Sequence, residues 1–221
     1  KDLDRLPSLH GPVPENDRKE YGSHYRELAA AQAPVPPPKQ VSAEFKAPQT
    51  GRREVIMLGS AGQRILTAGE ILCLAGLSAG LRASQKNDYP ITVLRGHSVS
   101  ELVLSDQDIE FSGISQPCVI LALAAEGVAR RRSMFQDLGE KTLIILDSGV
   151  ELPETGAKVM RIDFKAQKIK SHDRALASLS ILARMNRVIS FEMLEHAVEN
   201  RFGAKVLESA MALIRRVNIK A

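Results

Sequence analysis

The segment Arg53-Glu54-Val55-Ile56-Met57-Leu58-Gly59-Ser60-Ala61-Gly62-Gln63-Arg64 constrains the fold more than any other part of the chain. A short apolar run of strand character breaks into a turn holding two glycines, and a helical pattern follows over residues 65–80. In such a strand–turn–helix unit the free N–H groups of the turn and the positive end of the helix dipole point to one place, which suits an anion. Strands are predicted at 54–58, 81–86, 99–105, 117–123, 142–146 and 158–162, and helices at 65–80, 124–136, 173–185, 190–199 and 205–219. Val119-Ile120-Leu121 and Leu143-Ile144-Ile145-Leu146 are apolar throughout, as in strands covered on both faces. The alternation predicts an α/β fold, an open, mostly parallel sheet with flanking helices and a helical C-terminal third. Ser190 is placed as an N-cap with Met193 instead of Glu at the third helical position, so no full capping box is predicted. Asp147-Ser148-Gly149 forms a turn at the carboxyl end of a buried strand, the edge where open α/β sheets host ligands.

Residues 1–51 have a different character. They hold eight of the eleven prolines, including Pro34-Val35-Pro36-Pro37-Pro38, and their apolar periodicity is poor. They read as an extended, Pro-rich N-terminal tail or linker that wraps a partner subunit, ahead of one α/β domain over 52–221. A short helix is predicted at 18–31, and Leu6, Leu9, Tyr21, Tyr25, Leu28 and Phe45 are the expected anchors on that partner. The chain opens on Lys1 rather than Met, which leaves two readings: its first residues are missing, or it is part of a longer polypeptide.

Composition narrows the function classes. Aromatic residues make up 4% of the chain and Trp is absent, which argues against sugar binding and against nucleic-acid platforms built on stacking rings. The net charge is +4, and Arg130-Arg131-Arg132 is the densest basic run. That run reads either as a solvated helix end or as a contact for phosphate or an acidic partner. Cys73 and Cys118 sit in no ligand spacing and read as small core residues. Two cysteines fall short of the four thiolates that an iron–sulfur cluster usually needs. The sequence implies no disulfide framework, shows no membrane-span pattern and no signal-peptide pattern, and is expected in the cytoplasm.

The Gly59-x-x-Gly62 turn is open to three readings: a structural turn without ligand, a phosphate or carboxylate contact, or a nucleotide site. The third lacks support, since a dinucleotide fingerprint wants further glycines where Ala61 and Arg64 stand. Lys86, Asn87, Arg95 and His97 fall between two predicted strands, either as a solvated loop or as an anion-facing one. No Ser, Cys or Glu is spaced to make His97 a catalyst, and Asp173 reads as a first-turn acid or N-cap beside His172. No catalytic residue and no metal site is predicted.

The order of these features resembles the gamma subunit of 2-oxoacid:ferredoxin oxidoreductases, a family with pyruvate, 2-oxoglutarate, 2-oxoisovalerate, indolepyruvate and phenylglyoxylate members. The likeness rests on Gly59-Ser60-Ala61-Gly62-Gln63 with Ala68-Gly69-Glu70-Ile71-Leu72, set beside a family pattern Gly-x-Gly-Gly-Gln-Gly that continues into Ala-Gly-x-x-Leu. It extends through Arg95-Gly96, the strands at 99–105 and 143–147, and Glu195-His196-Ala197-Val198-Glu199-Asn200-Arg201-Phe202, covering about residues 52–217. Ala61 and Arg64 depart from the pattern, and of the family's Ser-Tyr-Gly-Pro-Glu-x-Arg-Gly-Gly loop only Tyr89, Pro90, Arg95 and Gly96 are comparable. The segment Pro14-Glu15-Asn16-Asp17-Arg18-Lys19-Glu20-Tyr21-Gly22 is similar to the end of a thiamine-binding beta subunit, which hints at a beta–gamma fusion.

The resemblance implies coenzyme A-dependent oxidative decarboxylation of a 2-oxoacid to an acyl-CoA by a multisubunit enzyme. It implies alpha and beta partners that hold thiamine diphosphate with Mg2+, an iron–sulfur subunit or domain that holds [4Fe-4S] clusters, and ferredoxin or another acceptor. This chain would help form the coenzyme A channel through Gly59, Ser60, Gly62, Gln63, Arg64, Lys86, Asn87, Arg95 and Gly96. Two alternatives stand beside it: a structural scaffold without ligand, and a stand-alone nucleotide-binding oxidoreductase.

Overall fold

Alternate residues of the central strands face opposite sides of one sheet, and this period of two divides the core into two layers. A computed structural model describes residues 41–91 and 95–219. The elements are β1 (Arg53–Ser60), α1 (Ile65–Leu77), β2 (Arg82–Asp88), β3 (His97–Ser105), β4 (Val119–Ala122), α2 (Ala125–Arg130), β5 (Leu143–Asp147), β6 (Lys158–Ile162), α3 (Arg174–Arg184), α4 (Phe191–Arg201) and α5 (Ala204–Arg216). Single 3-10 segments lie at Arg132–Asp137 and Ser171–Asp173.

The sheet has six strands in the order β2-β3-β1-β4-β5-β6. β1, β4, β5 and β6 are parallel, while β3 runs antiparallel to both β1 and β2. Val55, Met57, Leu102, Leu121 and Ile145 point to the face covered by α1, α3, α4 and α5. Ile56, Leu58, Val99, Ile120, Ile144 and Leu146 point to the face of α2, with Val128 and Phe135. Each such side chain taken fully out of water contributes about 1.5–3 kcal/mol, so the continuously apolar strands β4 and β5 are held from both sides. α2 reaches β1 closely because Gly127 has no side chain: a Cβ there would stand 2.6 Å from the carbonyl carbon of Leu58.

Several boundaries differ from the sequence expectation. α1 ends at Leu77, where Gly80 turns left-handed at φ +72° and the Leu81 amide donates back to Gly76. The predicted helix over 124–136 breaks after Arg130 into the tighter 3-10 segment. β2 runs on to Asp88 as a polar edge strand. Ser190 does form a capping box: Met193 N–H donates to its Oγ, and the Met193 sulfur, in the place of a Glu oxygen, accepts from Ser190 N–H at 3.4 Å. Asp173 stands at the N-cap of α3 but makes no side-chain capping bond.

The segment over 41–51 joins the globular body. Glu44 and Phe45 N–H both donate to the Ser78 carbonyl, and the Phe45 ring meets His196 edge-on at 5.3 Å. Phe45 is half-buried and packs on its own chain. The expected helix over 18–31, the beta-subunit-like segment and the other five anchors lie outside the described residues.

Candidate functional site

The carboxyl ends of β1, β4 and β5 share one edge of the sheet, and the glycine turn rises from it. Gln63, 4% exposed, organises that turn. Its Oε1 accepts from Ser60 N–H at 2.9 Å, and its Nε2 donates to the Leu123 carbonyl at 3.3 Å and to Ser171 Oγ at 3.1 Å. One buried amide thus ties β1, the end of β4 and the approach to α3 together, with each polar atom satisfied. Ser60 and Gln63 N–H are used inside the turn, and Ala61 N–H donates outward to Gly96. The amides of Gly62, Arg64, Ile65, Leu66 and Thr67 have no internal acceptor among the described residues, and the Ala68 amide is the first to find one, the Arg64 carbonyl.

Arg64 precedes α1 in the left-handed region, at φ 56° and ψ 33°. This is the position at which the family pattern carries its last glycine, and the backbone gives the reason: glycine adopts that conformation without strain. The Arg64 side chain is more than half exposed and lies 3.6 Å from Asp173 Oδ1, while His172 lies 3.4 Å from the other oxygen. Alongside, Arg174 binds Asp147, the last residue of β5. Sequence reasoning placed Asp147 at a ligand edge and His172 and Asp173 at a helix start, but their meeting with Arg64 depends on long-range topology.

The β2–β3 connection reaches the same edge. β1 and β3 pair with Ser60 opposite His97, and the Gly96 carbonyl accepts from Ala61 N–H at 2.9 Å. Gly96 has φ +87°, a conformation that favours glycine. Arg95 is exposed beside it. Asn87 stays on the α1 face, where Gln85 Nε2 donates both to its Oδ1 and to the Leu66 carbonyl of the first helical turn. Lys86 does not join them. Its neighbour across β3 is Glu101, which pairs with Ile56, and that places it on the α2 face, four residues or about 13 Å of strand below Ser60.

The basic run is in part the solvated helix end the sequence offered, with Arg130 and Arg132 exposed, but its first two arginines also find acidic partners within the chain. Arg130 Nε binds Asp88 at 2.9 Å, and Arg131 bridges Asp88 at 2.9 Å and Glu101 at 3.0 Å. His97 Nε2 is 3.1 Å from Asp88 as well. The Arg130 guanidinium, with His97 and Arg131 behind it, holds the Asp88 carboxyl well below the usual aspartate range despite partial burial. Asp88 ends the second strand, where a dinucleotide fold would present an acid to a ribose. Here that carboxylate is taken by two guanidinium groups and the His97 imidazole, and β3 separates β2 from β1. Both observations oppose the nucleotide reading.

The cysteines are not poised for metal or redox work. Burial, then Glu70, pushes the Cys73 thiol up to about 12, and burial raises that of Cys118, which donates to the Glu54 carbonyl. No three His, Cys, Asp or Glu side chains converge on a metal position among the described residues. Among those residues, too, no helix is long and apolar enough to cross a membrane. A cleft of about 730 Å3 lined by Phe45, Lys46, Arg184 and Phe191 lies at the far end of α3 from Asp147, away from the turn.

Comparison with known proteins follows the same outline. A family profile described as pyruvate ferredoxin/flavodoxin oxidoreductase matches residues 54–217. The chain is 28% identical over 156 residues to the 2-oxoglutarate synthase subunit KorC of Methanocaldococcus jannaschii, covering 66% of this chain and 82% of that one. The KorC subunit of Methanothermobacter marburgensis is 26% identical over 167 residues, with 67% and 86% covered. Among solved structures, the gamma subunit of a keto/oxoacid ferredoxin oxidoreductase from Geobacter sulfurreducens superposes with a TM-score of 0.60 at 24% identity, covering 74% of this chain and 94% of that one. A 2-oxoglutarate:ferredoxin oxidoreductase from Magnetococcus marinus, solved with 2-oxoglutarate, coenzyme A and succinyl-CoA bound, gives 0.61 at 17% identity, with 78% of this chain and 32% of that one covered. At these identities the two structures speak to the fold.

Proposed function

This chain belongs to the pyruvate ferredoxin/flavodoxin oxidoreductase family, and we propose that it is the gamma subunit of a cytoplasmic, multisubunit 2-oxoacid:acceptor oxidoreductase. The enzyme oxidatively decarboxylates a 2-oxoacid and transfers the acyl group to coenzyme A. The observation that carries the reading is the family match over 54–217, nearly the whole described domain. In this proposal alpha and beta subunits hold thiamine diphosphate and Mg2+, and an iron–sulfur subunit or domain passes electrons to ferredoxin or another acceptor. The cysteines of this chain do not fit a cluster: Cys73 lies on α1, Cys118 precedes β4, and both thiols are held protonated.

The coenzyme A-facing surface comprises the turn of Gly59, Ser60, Gly62 and Arg64 with Asn87, Arg95 and Gly96. Gln63 serves it from behind, and Lys86 is left aside. Support comes from the hydrogen bond that joins turn to loop, from the unpaired amides at the head of α1, and from the exposed guanidinium groups of Arg64 and Arg95. The pyrophosphate of coenzyme A suits such a surface. Residues 1–40 remain, in this reading, the segment that wraps a partner subunit.

A second reading has one observation in its favour. Because Gln63 and Gly96 already satisfy part of the turn, the turn also works as a purely structural joint in a scaffold subunit. Native mass spectrometry of the particle purified through this chain tests the proposal. Partner chains together with thiamine diphosphate and iron are expected, and a stable homo-oligomer without them would overturn it.

A further inference from the structure

The two stems of the β2–β3 connection are bound to each other and to α2 by one carboxylate. Asp88 is the last residue of β2 and His97 the first of β3. The Asp88 carboxylate accepts from His97 at 3.1 Å, from Arg130 Nε at 2.9 Å and from Arg131 at 2.9 Å. The other arm of Arg131 binds Glu101, so α2 is fastened to both strands. Asp88, His97, Arg131 and Glu101 are each less than a quarter exposed. Charge-assisted, forked bonds in such a setting are stronger and more directional than solvated surface pairs. At the far end of the β2–β3 connection Gly96 folds close over Pro90, where a Cβ at Gly96 would stand 3.0 Å from Cγ, and its carbonyl receives the Ala61 amide.

We propose that Asp88 is a positioning residue: by clamping His97, Arg130 and Arg131 together it holds Gly96 on the glycine turn and Arg95 beside it. The inference rests on the assignment of this surface to coenzyme A. Asp88 itself touches no ligand. It acts through the Gly96–Ala61 hydrogen bond, which sets where the free amides and the Arg95 guanidinium stand relative to each other.

The test uses the assembled enzyme carrying Asp88→Asn, with Asp88→Glu as the conservative variant and Arg130→Ala, half exposed, as a milder one should assembly suffer. Two readouts are taken: hydrogen exchange of the Ala61 amide, and the apparent KM for coenzyme A against that for the 2-oxoacid. Asp88→Asn is expected to speed Ala61 exchange and raise the coenzyme A KM about tenfold, the scale of one charge-assisted contact, with the 2-oxoacid KM unmoved and partial rescue by Asp88→Glu. Unchanged Ala61 exchange refutes the positioning role alone. Faster exchange with an unmoved coenzyme A KM refutes the assignment of the surface, and the role with it.

Discussion

The Gly96 carbonyl accepts a hydrogen bond from the Ala61 amide at 2.9 Å. This contact joins two segments 35 positions apart in sequence, the turn after β1 and the stem of β3, and it gives the candidate surface its shape. The antiparallel pairing of Ser60 with His97 brings it about.

Arg64 and Arg95 supply the exposed positive charges of that surface, and losing one charge-assisted contact costs about 1.5–3 kcal/mol, or roughly ten- to a hundredfold in affinity. Arg95→Ala and Arg64→Ala in the assembled enzyme are expected to weaken coenzyme A by that factor. Arg64→Gly separates charge from strain. A left-handed non-glycine residue costs roughly 1–2 kcal/mol, partly offset by the greater unfolded-state freedom of glycine. Arg64→Gly is therefore expected to raise the melting temperature slightly while weakening coenzyme A as much as Arg64→Ala does. If both Arg64 variants and Arg95→Ala keep the wild-type coenzyme A KM, the turn is a structural joint.

Gln63→Leu strands the Ser60 amide and the Leu123 carbonyl without their partner, and each buried orphan costs about 1–3 kcal/mol. Thermal unfolding is expected to show the loss. Gln63→Glu is worse: it keeps the acceptor for Ser60 but turns a carboxylate toward the Leu123 carbonyl. A melting temperature unmoved by both would contradict the bracket role.

How far the site is legible in the sequence follows from these same residues. The strand–glycine turn–helix unit is local, and the period of apolar residues places it directly. The bracket by Gln63 spans 60 positions to Leu123 and 108 to Ser171, which no spacing rule reaches. Strand order is hidden for the same reason. Lys86 and Arg95 lie close in sequence, yet the pleat of β2 turns Lys86 to the α2 face. The basic run Arg130-Arg131-Arg132 carries no mark of its partners, since Asp88 and Glu101 arrive through tertiary packing. The boundary near residue 51 reflects proline content, whereas the fold draws Phe45 in through one aromatic contact.

Acid should loosen the fold at both ends of β1. Asp88 is held below the ordinary value of 3.8, chiefly by Arg130. For Glu54, burial pushes the carboxyl up, but bonds from Arg52 and from the Gln116 and Ser115 amides outweigh it and leave it below 4.5. A carboxyl with a depressed folded-state pKa contributes stability that is complete above its unfolded value and lost as pH falls through the folded one. Melting temperature is therefore expected to fall from about pH 4.5 downward. Asp88→Asn should show a shallower decline over that window. An identical slope would contradict the contribution of Asp88.

Cys73 should be inert. With its thiol pushed up to about 12 by burial and Glu70, the thiolate is scarce at pH 8. Iodoacetamide labelling read by mass spectrometry is expected to modify Cys73 only on unfolding, and rapid labelling of the folded chain would contradict its placement.

In the proposed assembly this chain is a required, non-autonomous subunit of a 2-oxoacid oxidoreductase. The most direct measurement is coenzyme A-dependent 2-oxoacid oxidation, followed with an artificial electron acceptor, in an assembly reconstituted with and without this chain and in the isolated chain. Activity is expected only in the complete assembly. Turnover by the isolated chain, or full coenzyme A-dependent turnover by an assembly that lacks it, would contradict the account.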